Sequence, residues 1–405
     1  MSKMHNIVRR NLSGPKIGGL SCAVGALLFV LASCGTAPTQ SVESQSEEPV
    51  SEKVSENMSE NIGSYGTGYA FNQPRMEHIA VWAKDIDKTA AFLEKALGWK
   101  RHPMVFGVAE DNPVFGGMEL AFIDANGLWV ELVQPTTDGP GMEFLNQKGD
   151  GAIVELDFFL DDFKAHLKDY EARGIELIGM DGLPLQNGGL LSEWVLIDGE
   201  KVPADEFLSY LPFDLARGTS IELATEDING AVILRDTLWK DSPRTPKSAP
   251  HTDYVAVLAE DFEKSLNVYT DILNLKKSAS DIGVRREWMG FDDQEHAWIE
   301  ANHEGTWIEL ISPKGSSKGV LAEQGDGAII EIGVEVQDIA QYAKELEAKG
   351  ITMTAGDDVA LPVGEVAVTD PKTGDRYASL PLEQSEGMRI MIFQRGGPES
   401  AFNKR

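Results

Sequence analysis

Cysteine is almost absent from this chain: Cys22 and Cys34 are the only two in 405 residues, and both lie near the N-terminus. The body beyond them therefore has no disulfide, no thiol nucleophile and no thiolate-ligated zinc. Basic residues are also short. Thirty-six Lys and Arg face 65 Asp and Glu, a net charge of −29, which argues against a nucleic-acid or anionic-lipid surface and serves first of all solubility. The apolar fraction of 42% and charged fraction of 25% are those of a globular protein, and the length allows two or three domains, each with its own core.

Both cysteines belong to one N-terminal pattern. Lys3, Arg9, Arg10 and Lys16 precede an apolar run over 17–32 of signal-peptide length, too short and too near the end to read as a membrane span. The run ends Leu31-Ala32-Ser33-Cys34, which resembles a bacterial lipobox. That resemblance implies cleavage before Cys34, a diacylglycerol on its thiol and an acyl chain on its freed amine. Several acyl chains on one residue make a durable anchor, at about 0.8 kcal/mol per buried methylene. The alternatives are an uncleaved anchor or an ordinary signal peptide. Residues 1–33 are thus expected to be a lipoprotein signal peptide. The protein would be exported and lipid-anchored to the cell envelope, at the periplasmic face or in the outer membrane. Residues 34–73 are rich in Ser, Glu and Asn, with Lys53 the one basic residue, and read as a disordered acidic tether.

The body is organised by a repeat. Gly149-Asp150-Gly151-Ala152-Ile153-Val154-Glu155 returns 176 positions later as Gly325-Asp326-Gly327-Ala328-Ile329-Ile330-Glu331. Each copy leads into an alternating strand, an acidic turn and a helix. The same grammar opens at His78 and at Tyr254, with Asp85, Asp162, Asp261 and Asp338 placed to cap the four helices. His78 to Glu155 and Tyr254 to Glu331 are both 77 positions, whereas Glu155 to Tyr254 is 99 and leaves room for an insertion and a linker. Each module reads strand, helix, then about three strands, and two modules make one domain.

Paired βαβββ modules, the first opening on His78-Ile79-Ala80-Val81 and Asp85, resemble the vicinal oxygen chelate superfamily of glyoxalase, bleomycin-resistance and extradiol-dioxygenase proteins. The resemblance implies an α+β fold of two tandem domains whose strands curl into cups, with ligands of a metal supplied by the first and last strands of each module. The expected division is 74–225 for the first domain, 226–250 for a linker, 251–395 for the second domain and 396–405 for a tail.

Strand alternation sorts the residues of each cup. Val154, Leu156, Phe158 and Leu160 are expected on the helix side, with Glu155 and Asp157 facing the cup. Trp129, Glu131, Ser220, Glu222 and His78 face it likewise. His78, Glu131, Glu155 and Glu222 thus fall where the family places its metal ligands, Glu155 standing where histidine is usual. One imidazole and three carboxylates suit Mn²⁺, Mg²⁺, Ca²⁺ or Fe²⁺. Without a cation, three inward carboxylates would raise one another's pKa values. Solvated carboxylates and a core histidine are the plainer reading of the same residues. The second cup offers Tyr254, Glu309, Glu331 and Met391. Its expected state is metal-free, with Arg389 paired to Glu309 or Glu331 in place of a cation and no cofactor. His296 and His303 read as surface residues. Between the strands of the first domain, 201–217 carries Phe207, Leu208, Tyr210, Leu211 and Phe213 and could lid the cup or, more usually, dock the second domain.

By resemblance, the first domain would be a divalent-metal-dependent lyase or isomerase of glyoxalase or epimerase type. The metal would chelate adjacent substrate oxygens while Glu222, or next Glu155, shuttles a proton. Export weakens the glyoxalase I version, whose thiol-linked substrate is cytosolic, and an extradiol dioxygenase would need a second histidine that neither cup has. The alternative is a non-catalytic lipoprotein that binds a small ligand in degenerate cups. Expected partners are a small molecule and, through the lipid, a membrane. No nucleic acid is expected, and the chain would be a monomer or a homodimer.

Overall fold

The computed structural model describes residues 74–405, apart from 104, 111, 113, 161–162, 180–183, 186–189, 192, 198–199, 204–205, 226–243, 285, 287–292, 316–317 and 404. The signal peptide, Cys34, the tether, the Asp162 cap and most of the linker lie outside the described residues. Among the described residues, no helix is long and apolar enough to cross a membrane.

The first domain runs β1 (Arg75–Trp82), α1 (Ile86–Leu97), β2 (Lys100–Arg101), β3 (Phe106–Val108), β4 (Met118–Asp124), β5 (Trp129–Pro135), α2 (Pro140–Lys148), β6 (Ile153–Phe159), α3 (Phe163–Ala172), β7 (Leu190–Leu191), β8 (Glu193–Ile197), β9 (Glu200–Pro203), β10 (Glu206–Tyr210) and β11 (Ser220–Thr225). The second runs β12 (His251–Leu258), α4 (Phe262–Asn267) continued by a wider π turn (Val268–Ile272), β13 (Gln294–Glu300), β14 (Trp307–Pro313), α5 (Lys318–Gln324), β15 (Ile329–Glu335), α6 (Ile339–Ala348), β16 (Val368–Thr369), β17 (Arg376–Ser379), β18 (Ile390–Gln394) and a 3-10 turn (Ala401–Asn403).

The helices begin where the acidic turns predict. Asp85 accepts from Lys88 N, Asp261 from Lys264 N, and Asp338 from Ala340 N and Gln341 N. Each aspartate satisfies backbone donors that a helix start leaves without intrahelical partners. Gly98 ends α1 at φ 72°, a left-handed cap that glycine adopts without steric cost.

The first sheet follows the order β7-β10-β11-β6-β1-β5-β4-β3-β8-β9, with β2 on β4. β7 and β8 are separated by one residue yet pair with opposite ends of this path, β10 and β3, so the sheet curls back on itself. The second sheet is shorter and open, β13-β14-β12-β15-β18-β17-β16.

Side-chain alternation divides the core as expected. Ile79, Val81, Val130, Leu132, Leu156, Phe158, Ile221 and Leu223 join the helices in one large cluster. Ala80, Trp82, Trp129, Val133, Leu208 and Tyr210 form another on the cup face. Val154 departs from its expected side. The register between β1 and β6 shifts between Ala80 and Val81, and this bulge hands the helix side to Ile153 while Val154 packs in the cup cluster. Ile330 is re-aimed in the same way in the second domain.

The helix sides of the two domains meet. Tyr342 on α6 donates to Ala96 O on α1 at 2.8 Å, and Arg173, just past α3, donates to Asp271 O and Ile272 O. The Gly-Asp-Gly turns lock this seam. Asp150 accepts from Lys84 N and Asp326 from Glu260 N, tying each turn to the end of its own domain's first strand. Gly151 (φ 75°) then backs onto Gly387 and Met388, while Gly327 (φ 74°) backs onto Gly218 and Thr219. A Cβ on Gly151 would meet Met388 N at 2.2 Å, and one on Gly327 would meet Thr219 N at 2.2 Å. The repeat that marks the modules is thus also the place where they touch.

Candidate metal centre

His78 sits on β1 opposite Asp157 of β6, and Ala80, two residues on, lies between Glu131 of β5 and Glu155 of β6. β11 adds Ser220 beside Glu155 and Glu222 beside Asp157. Four adjacent strands therefore aim one imidazole and four carboxyl groups at one face, and the small Ala80 leaves room between Glu131 and Glu155. His78, Glu131, Asp157 and Glu222 are buried, and Glu155 is partly so.

The His78 ring is bracketed. Its Nδ1 lies 3.3 Å from Asp157 Oδ1 and 3.8 Å from Glu77 Oε2, and its Nε2 lies 3.4 Å from Glu131 Oε2. Glu77 reaches the same side as His78 because β1 bulges between Met76 and His78. Glu77, His78 and Asp157 offer ligand atoms within 4.8 Å of one another. Burial alone would lower the His78 pKa, but the Asp157 charge and the bonds to Glu131 and Glu77 outweigh it and hold the imidazole well above its usual value.

Beside this group, the carboxyls of Glu155 and Glu222 interact with one another. Tyr210 OH donates to Glu222 Oε2 at 2.8 Å, and Ser220 Oγ donates to Glu155 Oε2 at 3.0 Å. Burial raises the Glu155 pKa, as do the charges of Glu131 and Asp157, against the bond from Glu222 and the charge of His78. Tyr210 is pushed well above its usual value by burial and then by Glu155 and Glu222, so its phenol stays a donor. Among the described residues, no lysine or arginine pairs with Glu131 or Glu155.

All four sequence-derived ligands, His78, Glu131, Glu155 and Glu222, share this face, but two of the nearest partners of His78 lie outside that set. Asp157 was already placed on the inward face by alternation. The antiparallel register, which alternation does not supply, is what sets it opposite His78. Glu77 depends on a bulge that leaves no mark in the strand pattern. Tyr210 and Leu208, from the segment 201–217, line the cup, while Arg217, at the end of that segment, pairs with Asp326 of the second domain at 3.1 Å. The insertion therefore both walls the cup and docks the domains.

The second cup is filled by its own side chains. Arg286, missed in the sequence because the segment before β13 has no strand pattern, is fully buried. Its Nη2 lies 2.5 Å from Glu309 Oε2 and 2.8 Å from Glu331 Oε1, and its Nε donates to Glu331 at 3.2 Å. The pairing expected from Arg389 is thus corrected. Arg389 falls just before β18 begins, is partly exposed and bonds Asp357 at 2.8 Å. His296 is likewise not a surface residue: its ring is buried, with Nδ1 3.0 Å from Glu309 Oε1. The carboxyl of Glu309 is held down at about 2: burial would raise it, and Arg286 and His296 more than reverse that. Glu331 is raised by burial despite Arg286.

Tyr254 takes the place of His78, and its OH donates to Glu331 at 2.7 Å and contacts Met391 Sδ at 3.3 Å. Gly333 stands where the first repeat has Asp157, and a Cβ there would meet the Tyr254 ring at 1.8 Å. The mouth is closed by the segment read as a tail. Phe402 stacks on Phe393 with centroids 3.9 Å apart and on Tyr254 at 5.9 Å. Arg405 lies over Trp298 and Trp307 and pairs with Asp253 at 2.5 Å.

Residues 77–189 and 253–363 each match the model of the Glyoxalase/Bleomycin resistance protein/Dioxygenase superfamily, and the chain belongs to that family. A mutant of 4-hydroxymandelate synthase from Streptomyces coelicolor shares 14% identity over 80% of this chain and 93% of its own, with a TM-score of 0.51, a likeness of fold. The Mn(II)-bound glyoxalase from Novosphingobium aromaticivorans shares 13% identity over 80% of this chain and 83% of its own, TM-score 0.44. The 2,3-dioxygenase LapB from Pseudomonas sp. KL28 shares 13% over 81% and 94%, TM-score 0.43. No curated protein matches the chain.

Proposed function

We propose that the first cup holds a divalent cation and acts as a metal-dependent lyase or isomerase on a small oxygenated molecule. The observation that carries this reading is the contrast between equivalent glutamates. Glu309 and Glu331 bracket a buried guanidinium, whereas Glu131 and Glu155 have no lysine or arginine partner among the described residues. The donor types suit a hard cation: His78 Nε2 faces Glu131, with Glu155 and Glu222 on the same cup face, while Asp157 and Glu77 lie on the Nδ1 side of the ring. Glu77, His78 and Asp157 are the three whose ligand atoms all lie within 4.8 Å of one another. Bound there, the cation would polarise the oxygens of a substrate.

The chain's own residues supply proton handling. Glu155 lies against Glu222, and its raised carboxyl suits a group that takes and returns a proton. A non-catalytic binding protein is the second reading, and the filled second cup favours it, since that domain has kept the fold around a plugged interior.

Metal analysis of the purified protein after supplementation with Mn²⁺ separates the two. Stoichiometric metal that is lost in Glu131→Gln supports the cation; no metal in the wild type would leave only the second reading.

We further propose that a lipid on Cys34 tethers the protein to the cell envelope, a reading supported by the Leu31-Ala32-Ser33-Cys34 sequence. Cys34→Ala should move the protein from the membrane to the soluble fraction. Unchanged membrane association would rule the tether out.

A further inference from the structure

The closing wall of the first cup carries Tyr210, whose hydroxyl reaches Glu222. Tyr210 ends β10, where its backbone pairs with Glu222 on one side. On the other side it exchanges two hydrogen bonds with Ile178, Tyr210 N to Ile178 O at 2.8 Å and Ile178 N to Tyr210 O at 3.0 Å. The backbone is held along both edges, so the phenol has a fixed origin, and it is buried among Leu208 and the cup aromatics. From there its OH donates to Glu222 Oε2 at 2.8 Å. Next to Glu222, Glu155 Oε2 accepts from Ser220 Oγ at 3.0 Å. Hydroxyls of Tyr210 and Ser220 thus each hold one carboxyl of the cup.

The second domain supplies a comparison within the same molecule. At the same register Ser379 pairs with Met391, so the hydroxyl-bearing ring is missing where the carboxylate is missing.

We infer that Tyr210 is a positioning residue of the first cup, holding one oxygen of Glu222 so that the carboxylate meets a bound divalent cation in a single orientation. This rests on the cation reading given above. A hydrogen bond to a ligating carboxylate constrains its rotation, and loss of such a partner weakens metal binding by about 10–100-fold.

The test is a Mn²⁺ titration of the full-length protein, its Tyr210→Phe and Glu222→Gln variants and the double variant, each checked for folding by its melting temperature. Tyr210→Phe should bind Mn²⁺ about tenfold more weakly or worse, with little change in melting. The double variant should bind no more weakly than Glu222→Gln alone, because Tyr210 acts through Glu222. A merely structural tyrosine would instead make the two losses multiply. Equal Mn²⁺ affinity in Tyr210→Phe and wild type, or multiplying losses, overturns this inference alone. A wild type that binds no Mn²⁺ overturns the cation reading and this inference with it.

Discussion

Arg286 offers the sharpest perturbation of the second domain. Arg286→Met keeps an unbranched, flexible stem and removes the guanidinium, so the missing charge is the main effect and part of the vacated space can be refilled. The guanidinium is fully buried, as is Glu309, and Glu331 is nearly so. Removing one partner of a buried ion pair costs about 3–5 kcal/mol, because the remaining charge is left without compensation. For a domain of this size each kcal/mol moves the melting temperature by about 2–4 °C, so the expected drop is roughly 6–20 °C.

The pH dependence has a definite sign. In the wild type, Glu309 titrates near 2 in the folded state against 4.5 for an unperturbed carboxyl. Its stabilisation is therefore fully present above 4.5 and is lost as pH falls toward 2. Glu331, raised by burial, contributes with the opposite sign. Without Arg286 a charge that lowers both carboxyls is gone, so protonation should relieve the variant. The deficit of Arg286→Met should be largest near neutral pH and shrink on mild acidification. Thermal unfolding followed by circular dichroism across that range checks both statements. A variant that melts within about 2 °C of wild type at neutral pH, less than one kcal/mol, would refute the ion-pair account.

Arg389→Ala, by contrast, breaks only a partly exposed pair with Asp357, and denaturant melts should show a loss of no more than about 1 kcal/mol. Phe402→Ala removes a ring that is 2% exposed and stacked on Phe393. It should cost about 3–5 kcal/mol if the segment is part of the core, together with faster amide exchange over 396–405. A loss below about 0.5 kcal/mol, the level of an ordinary surface change, would show that this segment does not hold the cup closed.

Much of the fold was legible because it is periodic. The spacing of Asp85, Asp261 and Asp338 ahead of apolar helices located three helix starts, and alternation separated Ile79 and Val130 from His78 and Glu131. What stayed hidden depends on departures from period. Val154 and Glu77 change sides at bulges, and a one-residue slip in pairing has no signature in either strand alone. Asp157 required the antiparallel register of β1 and β6. Arg286 and Phe402 come from segments without strand pattern, so nothing local tied them to the second cup. The Gly-Asp-Gly turns were visible as a repeat, but their role at the seam depends on Gly218 and Gly387, which are far away in sequence.

In the second cup Arg286 balances the carboxylates, and in the first we propose that an added cation does. Equilibrium dialysis of the purified protein against Mn²⁺ tests it most directly. One ion should bind per chain, be lost in Glu131→Gln and be kept in Glu309→Gln. No bound ion, or two ions per chain, would contradict it.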